Sequence, residues 1–221
     1  MRPFTILKSK AAPFAQQDVD TDQIIPARFL KEARNEFGKF AFYDLRFDSE
    51  GCRRSEFILN KAEYREAQIL ICGKNFGCGS SREGAVWALQ NEDGGLFTSG
   101  LRCIIAPSFG DIFSNNCAKN GLLALCLEEG ECQSLRELAI EDPNSALEIN
   151  LETQTVTDFK GKIYTFEIDP FRKECLLKGL DDYALTMQHE LAIVDYEKNA
   201  RKKRPWVFDP DPSESKASGS L

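Results

Sequence analysis

The chain has 221 residues, 42% of them hydrophobic, and it carries a formal net charge of −7. This length allows one well-packed core and at most a small second one. The acidic balance argues against a nucleic-acid-binding surface, and no apolar run approaches the roughly 18 residues that a transmembrane helix needs. We therefore expect a cytoplasmic protein with neither a membrane span nor a nucleic-acid partner.

Eight cysteines and a single histidine limit the metal and redox chemistry of the chain. No CxxC pair occurs, which excludes zinc-ribbon and redox motifs and most iron–sulfur spacings. Cys72, Cys103 and Cys126 lie in apolar runs, where a thiol behaves as a small hydrophobic group, and most thiols should be buried and reduced. His189 lies in a segment patterned as an amphipathic helix, so a catalytic serine would have to act without a histidine base.

The first part of the chain predicts a strand at residues 4–7, an acidic turn and then a basic loop. The acidic turn, DVDTD at residues 18–22, begins like a calcium-binding EF-hand loop but lacks the required glycine and the late glutamate. It is either a buried, hydrogen-bonded turn or a set of carboxylates that face a site. The basic loop, residues 27–38, carries Arg28, Lys31 and Arg34 and either holds an anion or forms a solvated charged face.

The middle of the chain predicts alternating strands and helices. We predict an aromatic-rich short helix at 37–47, a strand at 57–59, a short helix at 63–66, strands at 67–72, 101–106 and 122–127, a helix at 83–90 and another that starts at Pro107 and ends at Gly121. The strand-helix-strand units favour parallel strands with right-handed crossovers, and ligands bind such sheets beyond the carboxyl ends of the strands.

The last part predicts a helix at 135–140 and then strands at 146–150, 155–159 and 162–168, with a hairpin turn at 158–162. A helix at 170–178 is stopped by Gly179, and a final helix covers 181–197. Beyond it the chain has almost nothing to bury. We therefore predict one α/β domain at residues 1–198 and a flexible tail at residues 199–221.

The most informative segment is GKNFGCGSSREG at residues 73–84, which follows an apolar strand and opens a helix. Its four glycines let the backbone turn tightly, and unpaired amides at a helix start attract an anion. Ser80 and Ser81 supply hydroxyl groups, and Arg82 supplies a fork for a carboxylate. Cys78 is either a thiolate stabilised by the helix start or a packed, inert thiol. The segment predicts a site for a small anionic substrate.

Familiar loop motifs do not fit this segment. Gly79 stands where a phosphate-binding loop needs lysine, Arg82 stands where a dinucleotide loop needs its third glycine, and Glu83 stands where a nucleophile elbow needs its last glycine. The alternative without chemistry is a tight strand-to-helix turn in which Ser81 is the N-cap.

Four segments together carry a resemblance to a known family: DVDTDQIIPARFLK, CGKNFGCGSSREGAVWAL, APSFGDIFSNNCAKNGLL and GLDDYALTMQHE. They resemble the small subunits of isopropylmalate dehydratases in the aconitase family, in order from residue 1 to about residue 197. The resemblance implies an aconitase-type swivelling β/β/α domain that closes over a larger part carrying a [4Fe-4S] cluster. It also implies that this chain binds no cofactor, because a separate large subunit supplies the cluster and the active-site histidines.

The reaction implied by the resemblance is dehydration of 2-isopropylmalate and rehydration to 3-isopropylmalate, a step of leucine biosynthesis. By motif position, Ser80 would be the base, held as an alkoxide by the loop amides at Gly77, Cys78 and Gly79. Asp22 would orient a histidine of the large subunit. The residues that would bind the carboxylates of this small dicarboxylate are Ser81, Arg82, Arg34 and Arg28.

The basic loop would also set substrate choice, with Phe29 and Leu30 as apolar walls. A pocket discriminates a few methylene groups by only about 1–3 kcal/mol, so the small subunit of a citraconate/methylmalate or homoaconitate hydro-lyase stays an alternative. The alternative from another class is a non-catalytic subunit that uses the glycine loop to bind a carboxylate and regulate a partner.

Overall fold

The computed structural model describes residues 1–80, 82–91 and 95–208. The chain divides into two compact units, Met1–Asp181 and Asp182–Leu221. Among the described residues, the first unit contains the strands and the glycine loop, and the second contains two helices followed by a short 3₁₀ turn at Pro205–Val207. This division lies before residue 198, where the sequence placed the domain boundary.

A seven-stranded mixed sheet in the order β4-β3-β2-β1-β5-β6-β7 forms the centre of the first unit. Its strands are β1 (Ile6–Phe14), β2 (Ile69–Cys72), β3 (Cys103–Ala106), β4 (Leu123–Cys126), β5 (Ala146–Asn150), β6 (Thr155–Thr157) and β7 (Ile163–Thr165). Neighbours from β1 to β4 are parallel, whereas β5, β6 and β7 add in antiparallel order. The predicted α/β class, with a mixed sheet and parallel strand-helix-strand units, is confirmed.

The α-helices are α1 (Thr21–Ile24), α2 (Tyr43–Arg46), α3 (Glu83–Gln90), α4 (Asp111–Lys119), α5 (Glu129–Glu141), α6 (Pro170–Lys178), α7 (Asp182–Met187) and α8 (Glu190–Lys203). Side chains of β2 alternate between the two faces of the sheet, so both faces are buried. Leu70 belongs to the core cluster that includes residues of α3 and α4, and Ile71 belongs to the cluster that includes residues of α5 and α6. This arrangement fixes the carboxyl end of β2, where the glycine loop begins.

Strand β1 joins the parallel and antiparallel halves of the sheet by changing partner along its length. Residues 6–10 pair with β5, and residues 11–14 pair with β2. Because β5 does not reach the second half of β1, Pro13 has no neighbour on that side and its missing N–H costs no ladder hydrogen bond. The sequence placed this strand at residues 4–7 and therefore missed residues 8–14.

Three predictions for the first third of the chain are wrong. The helix predicted at 37–47 is a 3₁₀ helix at Arg34–Phe40 and then α2, and Phe42 between them has a left-handed φ of 53°. The predicted strand at 57–59 and helix at 63–66 are 3₁₀ turns at Ile58–Asn60 and Ala62–Tyr64. Their apolar side chains pack on the core although the segments are loops and turns. The hydrophobic pattern therefore predicted the packing of these side chains correctly but not the secondary structure.

The carboxyl-terminal elements also differ from the prediction in their boundaries. Helix α5 begins at Glu129, well before residue 135, because Glu128 forms a capping box with Glu131. The single helix predicted at 181–197 is the two helices α7 and α8, and α8 continues to Lys203 into the predicted tail. Residues 209–221 of that tail lie outside the described residues. The turn at 158–162 does join two antiparallel strands, as predicted.

A substitution at Gly77 would test how tightly the glycine loop packs on the core. It has a φ of 73°, and an added Cβ would lie 2.2 Å from Cγ of Phe113. We expect Gly77→Ala to lower the free energy of unfolding by at least about 2 kcal/mol, because left-handed strain and a clash with a buried ring add together. Urea denaturation followed by circular dichroism would measure this loss.

The matched control is Gly130→Ala, because an added Cβ at that position in α5 meets no atom within 4 Å. Its stability should stay the same or rise by up to about 1 kcal/mol, since alanine favours a helix. Equal stabilities of the two variants would contradict the packing described for Gly77.

Candidate active site

The glycine loop turns away from β2 through three residues in left-handed conformation. These are Asn75, Gly77 and Gly79, with φ values of 59°, 73° and 85°. Asn75 tolerates this conformation and is held on both sides, since its Nδ2 donates to Oδ1 of Asp18 (2.8 Å) and its amide donates to Oγ of Ser108 (3.0 Å). The loop ends with Gly79 and Ser80 exposed beyond the carboxyl edge of the sheet.

The DVDTD segment is hydrogen-bonded to this loop. The amide of Gly77 donates to the carbonyl of Val19 (2.7 Å), and the amide of Thr21 donates to the carbonyl of Cys78 (3.0 Å). Oγ1 of Thr21, a residue only 2% exposed, donates to the carbonyl of Ser80 (2.8 Å). Two motifs about 60 residues apart in the sequence therefore form one structural unit.

Asp22 and Arg82 form an ion pair across this unit. The hydrogen bond from Arg82 is the main reason that the pKa of Asp22 is lowered, and the amide of Ala27, 3.2 Å from Oδ1, lowers the pKa further. The carboxylate thus keeps its charge as the pH falls until its depressed pKa is reached. The predicted orienting carboxylate and the predicted substrate-binding guanidinium contact each other in this structure.

Helix α3 begins directly after Arg82, which occupies the N-cap position and forms no side-chain cap. Its first amides are therefore not satisfied by a capping side chain, as an anion site at a helix start requires. Glu83 does not compete for them, because its Oε1 accepts from Nδ2 of Asn120 (2.7 Å). The alternative in which Ser81 is the cap does not agree with Arg82 at that position, and Ser81 itself lies outside the described residues.

The basic loop packs against the first turn of α3. An added Cβ at Gly84 would lie 2.9 Å from Cδ2 of Leu30 and 3.1 Å from Cε2 of Phe37, so these side chains touch the helix backbone two residues after Arg82. Leu30 is 39% exposed. Phe29 instead stacks on Phe40, with ring centroids 4.2 Å apart. Of the two predicted walls, Leu30 is the one that the structure brings near the site.

The two arginines predicted from the basic loop have other neighbours. Nη1 of Arg28 donates to Oδ2 of Asp44 (2.9 Å), and the guanidinium lies over the Phe29 ring. Arg34 stacks on Trp87 of α3, with Cζ 3.8 Å from the ring centroid, beside a cleft of about 480 Å³. Among the contacts of the described residues, none joins either arginine to Ser80 or Arg82.

Cys78 is partly buried, and its environment disfavours the thiolate. Burial raises the pKa of its thiol, and the nearby carboxylates of Asp20 and Asp18 raise it further. The same acidic segment that closes the loop therefore opposes the reactive-thiol alternative. His189 belongs to the second compact unit, where it lies at the turn between α7 and α8.

Neither a metal site nor a membrane span is found in the part of the chain that the structure describes. No group of three or more His, Cys, Asp or Glu side chains within those residues could hold a metal ion. In the same residues, no helix is long and apolar enough to cross a bilayer.

Comparisons with known proteins show which family this chain belongs to. A family model described as the aconitase C-terminal domain matches residues 1–130. The chain belongs to this family. A model described as LeuD_N matches residues 133–170, and a model of the C-terminal domain of the 3-isopropylmalate dehydratase small subunit matches residues 183–210. The first model spans both motifs of the site, and the last spans α7 and α8.

Curated relatives narrow the assignment within the aconitase family. The chain is 46% identical over 208 residues to a 3-isopropylmalate dehydratase small subunit of Roseobacter denitrificans, covering 94% of this chain and 100% of the relative. It is 47% identical to the protein of that name from Rhodospirillum centenum, with the same coverage. A crystal structure of 3-isopropylmalate dehydratase from Methanocaldococcus jannaschii matches 86% of this chain and 99% of its own, with a TM-score of 0.62 and 26% identity.

Thr21 is the site residue that sequence reasoning missed. The sequence analysis considered only the aspartates of the DVDTD segment and assigned no role to the threonine hydroxyl between them. We expect Thr21→Val to lower the free energy of unfolding by about 1–3 kcal/mol, since the Ser80 carbonyl loses its donor. Thr21→Ser keeps the hydroxyl and should lose clearly less. Urea denaturation of both variants measures the difference, and equal losses would show that the hydroxyl contributes nothing.

Cys78 should react slowly with alkylating reagents at neutral pH, because its raised pKa keeps the thiol protonated. Site-resolved mass spectrometry after a short N-ethylmaleimide pulse would compare it with a cysteine in an unstructured peptide. We expect the labelling rate of Cys78 to be lower at pH 7 and still rising above pH 9. Faster labelling than the peptide at pH 7 would contradict this electrostatic interpretation.

Proposed function

We propose that this chain is the small subunit of a 3-isopropylmalate dehydratase and works with a large subunit to convert 2-isopropylmalate to 3-isopropylmalate in leucine biosynthesis. The observation that supports this most is the union of the two motifs, in which Thr21 holds the Ser80 carbonyl and Asp22 pairs with Arg82. A turn without a function has no need for an exposed serine beside a paired arginine at an uncapped helix start.

Ser80 is the base in this proposal and removes the carbon-bound proton. An ordinary serine hydroxyl is far too weak an acid to serve as an alkoxide, so its surroundings must stabilise the oxyanion. The Ser80 and Cys78 carbonyls already accept from Thr21, which turns these two acceptors toward α1. Of the three predicted loop amides, those of Gly77 and Cys78 already donate to the Val19 carbonyl, at 2.7 Å and 3.2 Å. The amide of Gly79 and the start of α3 are therefore the donors that we assign to the oxyanion.

Arg82 and Ser81 bind one carboxylate of the substrate. The guanidinium fork suits a carboxylate bidentately, and the pair with Asp22 holds it beside Ser80 until the substrate arrives. In the assembled enzyme Asp22 turns to a histidine of the large subunit. Arg34 and Arg28 stay candidates for the second carboxylate, and Arg34 has the more suitable position because it lies beside a cleft along α3.

The [4Fe-4S] cluster belongs to the large subunit in this proposal, because the described residues of this chain contain no set of side chains that fits one. Bound there, the cluster supplies a Lewis acid for the leaving hydroxyl group. The residues of this chain bind the dicarboxylate, orient it and take its proton. We propose a heterodimer in the cytoplasm, where its eight free thiols would stay reduced.

Leu30 sets the preference for an isopropyl side chain in this proposal. Leu30 and Phe37 of the basic loop both touch α3 two residues after Arg82, and Leu30 is the more exposed of the two. A wall of this kind discriminates by only about 1–3 kcal/mol, so citraconate, methylmalate and homoaconitate-type substrates are natural competitors in an assay.

The proposed function is tested by mixing the chain anaerobically with a reconstituted large subunit of proven competence. Alkene absorbance from 2-isopropylmalate should appear only when both chains are present. Ser80→Ala should lower kcat by about 10²–10⁴-fold, because a positioned base contributes roughly that much.

Ser134→Ala provides a matched serine control. Ser134 is half-buried on α5, and its hydroxyl donates to the carbonyl of Gly130 (2.9 Å) in the same helix, outside both motifs. It should keep full activity. If the wild-type mixture is silent with 2-isopropylmalate but active with citraconate or homoaconitate, the substrate assignment is wrong. Silence with all of these diacids would move the assignment to a carboxylate-binding regulatory subunit.

A further inference from the structure

Arg46, the last residue of α2, is buried without an acidic partner. Only 5% of it is exposed. Its Nη1 donates to the carbonyls of Ala41 (2.9 Å) and Lys39 (3.2 Å), and its Nε lies 3.4 Å from Oδ1 of Asn60. All three acceptors are neutral, and its Nη2 forms no hydrogen bond with a described residue. A buried cation is normally paired with an anion, because desolvation of the charge is costly.

Two more arginines line the same small cavity. Arg53 and Arg65 lie at its exposed side, and neither forms an ion pair with a described residue. Burial lowers the pKa of Arg46 to about 10, and the charges of Arg53 and Arg65 contribute to this shift. The other lining residues are Leu59, Asn60, Gly95 and Leu96. Within the described residues, three cations thus share a cavity that no carboxylate lines.

The cavity is small, with room of about 10 Å³, which is roughly what one water-sized particle needs. A water molecule could accept from Arg46, but it carries no charge, and no carboxylate among the described residues lines the cavity to offset the repulsion among the three guanidinium groups. A monatomic anion is somewhat larger than water, but the cavity opens toward the exposed Arg53 and Arg65, and such an ion satisfies the free donor and the charge together. We propose that this arginine cluster, Arg46, Arg53 and Arg65, binds a single small monovalent anion of the halide class, with chloride as the natural occupant.

The bound anion would act on the basic loop through Arg46. The Nη1 of Arg46 holds the carbonyls of Lys39 and Ala41 at the end of the 3₁₀ helix Arg34–Phe40. Leu96, which lines the cavity, donates its amide to the carbonyl of Gly38 (3.2 Å). The site therefore fastens the segment whose Phe37 packs on α3. This role is independent of the proposed catalytic function.

Thermal unfolding of the full chain tests the site. The melting temperature would be measured in sodium chloride and in sodium gluconate at equal ionic strength, since gluconate is too large for the cavity. Above the dissociation constant, each tenfold increase in chloride should raise the melting temperature by about 3–6 °C. Gluconate should give no such dependence. Equal curves in the two salts would overturn the proposal.

Two variants separate the site from general salt effects. Arg65→Gln removes one cation at the exposed side of the cavity and should abolish most of the chloride-specific rise, and Arg53→Gln should do the same if Arg65→Gln does not fold. Arg54→Gln is the matched control, because Arg54 does not line the cavity. It should keep the rise. Loss of the rise in Arg54→Gln, or its survival in both cavity variants, would contradict the site.

Crystals grown in bromide give the direct answer. An anomalous peak within hydrogen-bonding distance of Nη2 of Arg46 is expected, and it should disappear when the crystal is transferred to gluconate. A cavity that holds only water in bromide would refute the proposal. Stabilisation by sulfate or phosphate as strong as that by chloride would refute its size selectivity, because neither ion fits a cavity for one atom.

Discussion

The site depends on the way that the DVDTD segment satisfies the glycine loop. A loop that passes through three left-handed residues in five cannot pair its own backbone groups as a helix or a strand does. The carbonyls of Cys78 and Ser80 accept from Thr21, and the amide of Gly77 donates to Val19. Without these bonds the loop would have to expose or rearrange the same groups. The exposed serine therefore has a fixed position although no regular element contains it.

The core behind the loop limits where it can move. Phe76, inside the loop, is fully buried and meets Phe113 of α4 edge to face, with ring centroids 5.5 Å apart. Phe14 at the end of β1 also meets the Phe76 ring edge to face, with ring centroids 6.5 Å apart. Edge-to-face contacts of this kind are orientation-dependent, so the aromatic ring works as an anchor between the polar residues on either side of it. Hydrogen bonds to the DVDTD segment and packing of Phe76 on the core thus both hold the loop.

The sequence predicted the parts of this structure in which one signal dominates. Strands β2 to β4 are continuous apolar runs, and helices α3 and α4 follow them with glycine and polar boundaries. Strand β1 was cut short because Lys8 and Lys10 interrupt its apolar pattern on an exposed face and Pro13 argues against a central strand. The roles of Ser80, Arg82 and Asp22 came from a resemblance and are still proposals. The pairing of Asp22 with Arg82 could not be predicted, because spacing does not tell which opposite charges meet.

If Ser80 and Arg82 act as proposed, the pairing of Asp22 with Arg82 explains how this part of the active site is stable alone and still ready to bind. Free in the loop, Arg82 would sample many rotamers, and a substrate would have to pay for ordering it. The carboxylate of Asp22 orders it beforehand. The side chain of Asp22 is 54% exposed, and pairs with solvent access contribute only about 0–1 kcal/mol. In the proposed function, a substrate carboxylate would therefore replace Asp22 on Arg82, and a histidine of the large subunit would replace Arg82 on Asp22, at low cost. A fully buried ion pair would order the guanidinium equally well but would resist this exchange. Without any ion pair, the guanidinium would be disordered. The half-exposed position of Asp22 at the rim of the loop meets both requirements.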